Sequence, residues 1–147
     1  MKIVLASDHA GYFLKEAIKE HLDAKGVEWD DYGPYDDKSV DYPDYGSNVA
    51  LDISRGLFER GILICGSGIG MSIIANRYPN VRAALCVNKK MAELSRQHND
   101  ANIITLGARF LEVSEACQII DVWLNTNFDG GRHLTRVRKI DALLKSS

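Results

Sequence analysis

The sequence predicts a doubly wound α/β fold: one three-layer α/β/α, Rossmann-like domain over residues 1–147, with a parallel sheet of about five strands. Three observations predict it. Short, almost wholly apolar runs recur along the chain, as strands buried on both faces of a helix-covered sheet require. Segments with apolar residues at helical spacing fill the gaps, so strand and helix alternate. At 147 residues, 46% hydrophobic and 26% charged, the chain can bury a core without disulfides or metal.

The first strand is KIVLAS (2–7). Ala10, Leu14, Ala17, Ile18 and Leu22 then predict a helix over 10–25, with Gly26 as its C′ residue. VEWDDYG (27–33) reads as the second strand. Pro43, suited to a first helical turn, opens a helix over 43–59, with Asp41 nearby. GILIC (61–65), RAALCV (82–87) and NIITLG (102–107) supply three more strands, with helices over about 69–77, 88–97 and 112–124. After DGG (129–131) comes a last amphipathic helix with Leu134, Val137, Leu143 and Leu144 on its apolar side, a candidate dimer contact. No repeat, low-complexity tract or linker interrupts this order.

Charge and cysteine usage exclude several classes. A net charge of −2 predicts no general affinity for nucleic acid or anionic membrane. There is no long apolar span and no basic start leading into an apolar leader, so a soluble cytoplasmic protein is expected. Cys65, Cys86 and Cys117 are odd in number and widely spaced, without CxxC or His–Cys pairing, which argues against a disulfide framework or a metal site. Cys86 and Cys117 read as small buried hydrophobes.

ILICGSGIGMS (62–72) joins the third strand to a helix. Ligands of parallel α/β sheets bind beyond the carboxyl ends of the strands, so this loop lies where a site is expected. No Gly-Lys-Ser/Thr follows, which excludes a P-loop. Gly66, Gly68 and Gly70 are spaced GxGxG after the third strand, and the next strand ends in LCVNKK, with no carboxylate for a ribose hydroxyl. No nicotinamide cofactor, and no cofactor of any kind, is expected. What remains is backbone chemistry. Closely spaced glycines let N–H groups approach a ligand, and the start of the following helix adds to their pull. That arrangement suits a developing oxyanion and favours the thiolate of Cys65. The alternative is that Cys65 is an inert strand residue.

Other polar clusters gather on the same framework. SDHAG (7–11) closes the first strand and sets Asp8 and His9 on the same edge as Cys65. A helix N-cap explains Asp8 but not His9. RQHNDAN (96–102) puts His98, Asn99 and Asp100 in a predicted helix-to-strand turn, where Asn and Asp are ordinary residues. A loop preceding a parallel strand lies at the opposite sheet edge from Cys65, so if His98 acts with Cys65 the simplest solution is that a second subunit supplies it. GGRHLTRVRK (130–139) sets Arg132 and Arg136 four apart on one helix face. Arginine forks suit phosphate oxygens, although a solvated basic face explains the same run. Arg109, just past NIITLG, is a candidate to join them, and near-zero net charge makes one small anion the better fit than a polymer. The Tyr42 ring in DYPDYG (41–46) suits a pocket wall or core packing, with packing slightly favoured.

SDHAG, DYP, CGSGIGMSIIANR, SRQHNDAN, LGAR and GGRHLTRV follow the order and spacing of type B ribose-5-phosphate isomerases, and the chain resembles that family over nearly its whole length. The family includes galactose-6-phosphate and allose-6-phosphate isomerases. The resemblance implies a metal-free aldose–ketose isomerase of the pentose phosphate pathway, interconverting ribose 5-phosphate and ribulose 5-phosphate. It implies ring opening, enediol proton transfer, and a homodimer (with tetramers left open) whose sites are shared between subunits. By resemblance Cys65 is the base between C2 and C1, and His98 opens the sugar ring. Asp8 contacts ring or hydroxyl oxygens, while Asn99 and Gly66, Ser67, Gly68, Ile69 and Gly70 hold the substrate. His9, Arg109, Arg132 and Arg136 map to phosphate-side positions, and Tyr42 is kept as a substrate-binding candidate. Met71 stands where one branch of the family has a glutamate, so this chain resembles the cysteine branch. Ser67 replaces the threonine of many members and keeps its hydroxyl. Two alternatives remain: the same chemistry on a six-carbon sugar phosphate, and a noncatalytic phosphosugar- or nucleotide-binding module that needs neither Cys65 nor His98.

Overall fold

The computed structural model describes residues 1–144; the last three residues of the expected domain lie outside the described residues. Alternation along each central strand sends side chains to two cores. In β1 (Lys2–Ser7), Ile3 and Leu5 face one core, Val4 and Ala6 the other. In β3 (Arg60–Cys65), Ile62 and Ile64 oppose Leu63 and Cys65. In β5 (Ile103–Gly107), Ile104 and Leu106 share the first core and Ile103 the second. Each such aliphatic side chain contributes about 2 kcal/mol by leaving water, which is why the strands read as unbroken apolar runs.

With β2 (Glu28–Asp31) and β4 (Ala83–Leu85), the strands form an all-parallel sheet in the order β2-β1-β3-β5-β4. The first core is covered by α1 (Tyr12–Ala24), α4 (Lys89–Asn99) and α5 (Val113–Asn125), the second by α2 (Tyr42–Ser54) and α3 (Ile69–Ala75). The chain steps past the β5 position to β4 and then returns, so right-handed crossovers put α3 and α4 on opposite faces. A last helix, α6 (Arg132–Ala142), reaches α4 and buries Val137. No described helix is long and apolar enough to cross a membrane.

The elements occur in the predicted order, but several bounds move for local reasons. The first helix starts at Tyr12, because Asp8 Oδ1 accepts the Gly11 N–H at 3.0 Å and closes a turn ahead of it. Gly26, at φ +70°, follows its C-cap as expected. The helix predicted over 43–59 stops at Ser54, where Gly56 turns the chain at φ +78° and Leu57 N–H returns to the Asp52 carbonyl at 2.9 Å. His98 and Asn99 are not in a turn: α4 continues through both, and Asp100 caps it at φ +48° while its carboxylate accepts from Arg96 Nη1 at 2.8 Å. Leu143 and Leu144 fall beyond α6 and are exposed, so its apolar side is shorter than predicted.

One buried charge joins α1 to the sheet. Lys15 is fully enclosed, and its Nζ donates to Asp31 Oδ1 at 2.7 Å, Asp31 Oδ2 at 2.9 Å and the Pro34 carbonyl at 2.6 Å. Lys19 Nζ lies 2.8 Å from Asp31 Oδ2. Burial lowers the Lys15 pKa against the pull of Asp31. Burial by itself would raise Asp31, but hydrogen bonds from the two lysines and the Gly33 N–H hold its carboxyl below the ordinary value. Removing Asp31 strands a buried ammonium. Asp31→Ala is therefore expected to lower the free energy of urea unfolding by about 3 kcal/mol, and adding Lys15→Met to recover most of it. The Asp31 contribution is complete above its unfolded-state pKa of 3.8 and is lost as pH falls through the lower folded value. Acid titration of stability should show that loss in the wild type and not in the double variant.

Candidate active site

The carboxyl ends of β1, β3 and β5 lie side by side, and Cys65 ends the middle one. Ser7 pairs with Ile64 and Cys65 with Gly107. The alignment continues past the strands: Asp8 N–H donates to the Ile64 carbonyl at 3.1 Å, Ala108 N–H to the Cys65 carbonyl at 2.9 Å, and Arg109 N–H to the Gly66 carbonyl at 3.0 Å. Strand pairing therefore gathers Asp8, Cys65 and Arg109 at one edge.

Cys65 is 4% exposed, and its Sγ accepts the Gly68 N–H at 3.1 Å. Gly68 aims that amide from φ +79°, and a Cβ there would lie 2.5 Å from Leu85 Cδ1 and 3.0 Å from the Leu106 carbonyl carbon. Only glycine fits. Ser67 Oγ accepts the Ile69 N–H at 3.2 Å and pins the same loop. Because α3 is only seven residues long, the cradle rests on loop amides more than on a helix field. The Arg109 guanidinium covers Gly66, and the Tyr42 ring covers Gly70, each under 3 Å from where a Cβ would stand. Tyr42 is 38% exposed and belongs to neither core, so it walls the loop instead of packing inside. Burial pushes the Cys86 thiol up to about 11, and burial with Asp121 nearby also pushes Cys117 up. Both are buried fillers, as expected.

Asp8 is 8% exposed. Its Oδ1 closes the turn to Gly11, as a capping role requires, while Oδ2 takes no hydrogen bond among the described residues. His9 Nδ1 accepts the Val40 N–H at 3.1 Å. An amide N–H can only donate, so Nδ1 is the acceptor of this imidazole and a neutral His9 carries its proton on Nε2, ready to donate to an anion.

The remaining predicted residues lie elsewhere. His98 is in the last turn of α4, ahead of β5, whereas Cys65 pairs with the far end of that strand. Five residues of β5 put about 16 Å between those edges. The His98 ring stacks on His133, with centroids 4.4 Å apart and planes 11° from parallel. Asp129 joins them, the three donor atoms lying within 4.8 Å of one another. Nearly parallel imidazoles send their in-plane lone pairs alongside each other, so the trio is a ring pair with a carboxylate and not a converging metal cage. Arg132 and Arg136 are exposed at the start of α6. Asn99 is exposed at the end of α4, its carbonyl accepting from Arg82 Nε at 3.2 Å. Arg82 and Arg96 are bound to Asp141 and Asp100, but Arg109, Arg132 and Arg136 form no ion pair among the described residues. Those three forks are free for an anion.

A family model described as Ribose/Galactose Isomerase matches residues 3–140. The chain belongs to the ribose/galactose isomerase family. Ribose-5-phosphate isomerase B of Escherichia coli (strain K12) is 44% identical over 142 residues, 97% of this chain and 95% of that protein. The solved ribose-5-phosphate isomerase B of Clostridium thermocellum is 50% identical with TM-score 0.96, covering 99% of this chain and 98% of that one. The Mycoplasma genitalium ribose-5-phosphate isomerase B, solved with bound ribulose-5-phosphate, is 44% identical with TM-score 0.94, covering 99% and 97%.

In this family member, two further groups contact the predicted residues. Val40 acts through its amide, which no side-chain pattern signals. His133 stood in view inside GGRHLTRV, but only folding brings it against His98. The glycine loop yields a direct test. Gly68→Ala imposes a strained φ and a clash with Leu85, expected to cost at least about 1–3 kcal/mol and to pull the amide off Cys65. A lower Tm together with a sharp fall in isomerase turnover is the expected result.

Proposed function

We propose that this protein interconverts ribose 5-phosphate and ribulose 5-phosphate, with Cys65 as the base and the active site completed by a second copy of the chain. The observation that carries this reading is Cys65 itself: a buried sulfur at the end of the central strand, receiving a fixed amide beside a glycine loop. Membership of the isomerase family and the likeness to a relative solved with ribulose-5-phosphate support the substrate class. The unpaired Arg109, Arg132 and Arg136 suit its phosphate.

The chemistry follows from these groups. With the sugar ring open, the Cys65 thiolate takes the C2 proton; the C2–H electron pair becomes the C1–C2 double bond and the carbonyl pair moves onto O1. Loop amides stabilise the developing oxyanion, which takes up a proton. The thiol then returns its proton to C1 as O2 loses its own and becomes the ketose carbonyl. Proton count and oxidation state of the whole molecule are unchanged. Phosphate contacts far from C1 and C2 hold the substrate in register, so the arginines contribute orientation. His98 serves the earlier ring-opening step.

The separation of Cys65 from His98 within one chain supports a shared site, and α6 supplies a surface for pairing. Cys65→Ala is expected to abolish turnover in a coupled assay while leaving the fold and phosphate-anchored binding intact; near-normal turnover would refute the mechanism. His98→Asn should hurt cyclic substrate more than open-chain substrate. Mixing the two variants tests sharing. Random exchange of subunits should restore about a quarter of wild-type activity, since half the dimers then hold one intact site. No recovery despite demonstrated exchange would place both residues in one chain's site. A kcat/KM ranking over ribose 5-phosphate, allose 6-phosphate and galactose 6-phosphate tests the sugar length.

A further inference from the structure

His133 has no part in the reaction as derived above. It is the second residue of α6, and its imidazole lies flat against that of His98. We infer that His133 is a positioning residue for ring opening, holding the His98 imidazole in one plane by stacking against it. The inference rests on the isomerase reading and extends it to a residue left without a role there.

Opening a furanose moves two protons. The O1 hydroxyl loses one, the C1–O4 bond breaks with its electron pair going to O4, and O4 takes one up. A neutral imidazole can accept the first proton and supply the second; a doubly protonated one has no lone pair to begin. His98 must therefore be held in one plane with its nitrogens presented to O1 and O4.

The surroundings supply that hold. The charged and titratable groups around His133 are His98 from α4, Asp129 from the preceding loop, and Arg132 and Arg136 from its own helix. Desolvation, then the charges of His98, Arg132 and Arg136, push the His133 pKa down, with Asp129 opposing. These shifts favour a neutral His133, which lays a flat uncharged face on His98. The stack is also anchored from below. Asp129 N–H donates to the Gln97 carbonyl at 3.1 Å and Arg96 Nε to the Thr126 carbonyl at 3.2 Å, tying the approach to α6 onto the helix that carries His98.

Two substitutions test the stacking. His133→Phe keeps an aromatic face without nitrogens, and His133→Ala removes both. Their kcat and KM are measured with ribose 5-phosphate, largely cyclic, and with open-chain ribulose 5-phosphate, beside the NMR ring-current shift of the His98 ring protons. For His133→Ala, kcat on ribose 5-phosphate should fall about tenfold with KM within about twofold, and turnover of ribulose 5-phosphate should change far less. His133→Phe should recover part of that loss. In His133→Ala the His98 ring protons should lose the ring-current shift that a stacked neighbour imposes, and His133→Phe should retain it. An unchanged shift in His133→Ala, or an equal loss with both sugars, overturns the inference. The NMR shift needs no turnover: a wild type inactive on both sugars would overturn the isomerase reading, while the ring pairing is still tested.

Discussion

A parallel sheet that must be covered on both faces is the constraint from which the rest of this structure follows. Parallel pairing points every carboxyl end to one edge, and burial of both faces makes β1, β3 and β5 continuous apolar rods. Because β1 and β5 flank β3, whatever follows them is delivered beside Cys65. Asp8 arrives from one side and Arg109 from the other, each fixed by a backbone bond to the β3 exit. The chemistry is thus set on rigid elements, with the glycine loop as the one part shaped closely around it.

The same constraint divides the polar residues. A helix that returns the chain to the start of a parallel strand ends at the amino edge, so the last turn of α4 carries His98 away from Cys65. The long path through β5 and α5 then brings α6 back to that edge, where His133 meets His98 and Arg132 and Arg136 stand exposed. One chain holds two separate clusters, one with the thiol and glycine amides, the other with imidazoles and arginines.

Charge is distributed on the same logic. The buried ammonium of Lys15 and the Arg82 and Arg96 guanidiniums are spent on the scaffold, each held by carboxylates or carbonyls. Arg109, Arg132 and Arg136 form no such ion pair among the described residues. A net charge of −2 conceals this contrast, since composition weighs a bound cation and a free one alike.

The sequence by itself determined the strand–helix alternation, the loop around Cys65 and the identity of most polar candidates, because burial periodicity, turn residues and side-chain chemistry are local properties. It misjudged the end of α2 at Gly56 and the place of His98 and Asn99, since a helix ends where its carbonyls find caps and not where its pattern fades. Folding alone decided that β5 lies between β3 and β4, that Gly68 turns its amide onto Cys65, that Val40 sets the His9 tautomer, and that His133 stacks on His98. Each of those depends on groups from separate elements meeting in space. No one-dimensional pattern carries the distance between them.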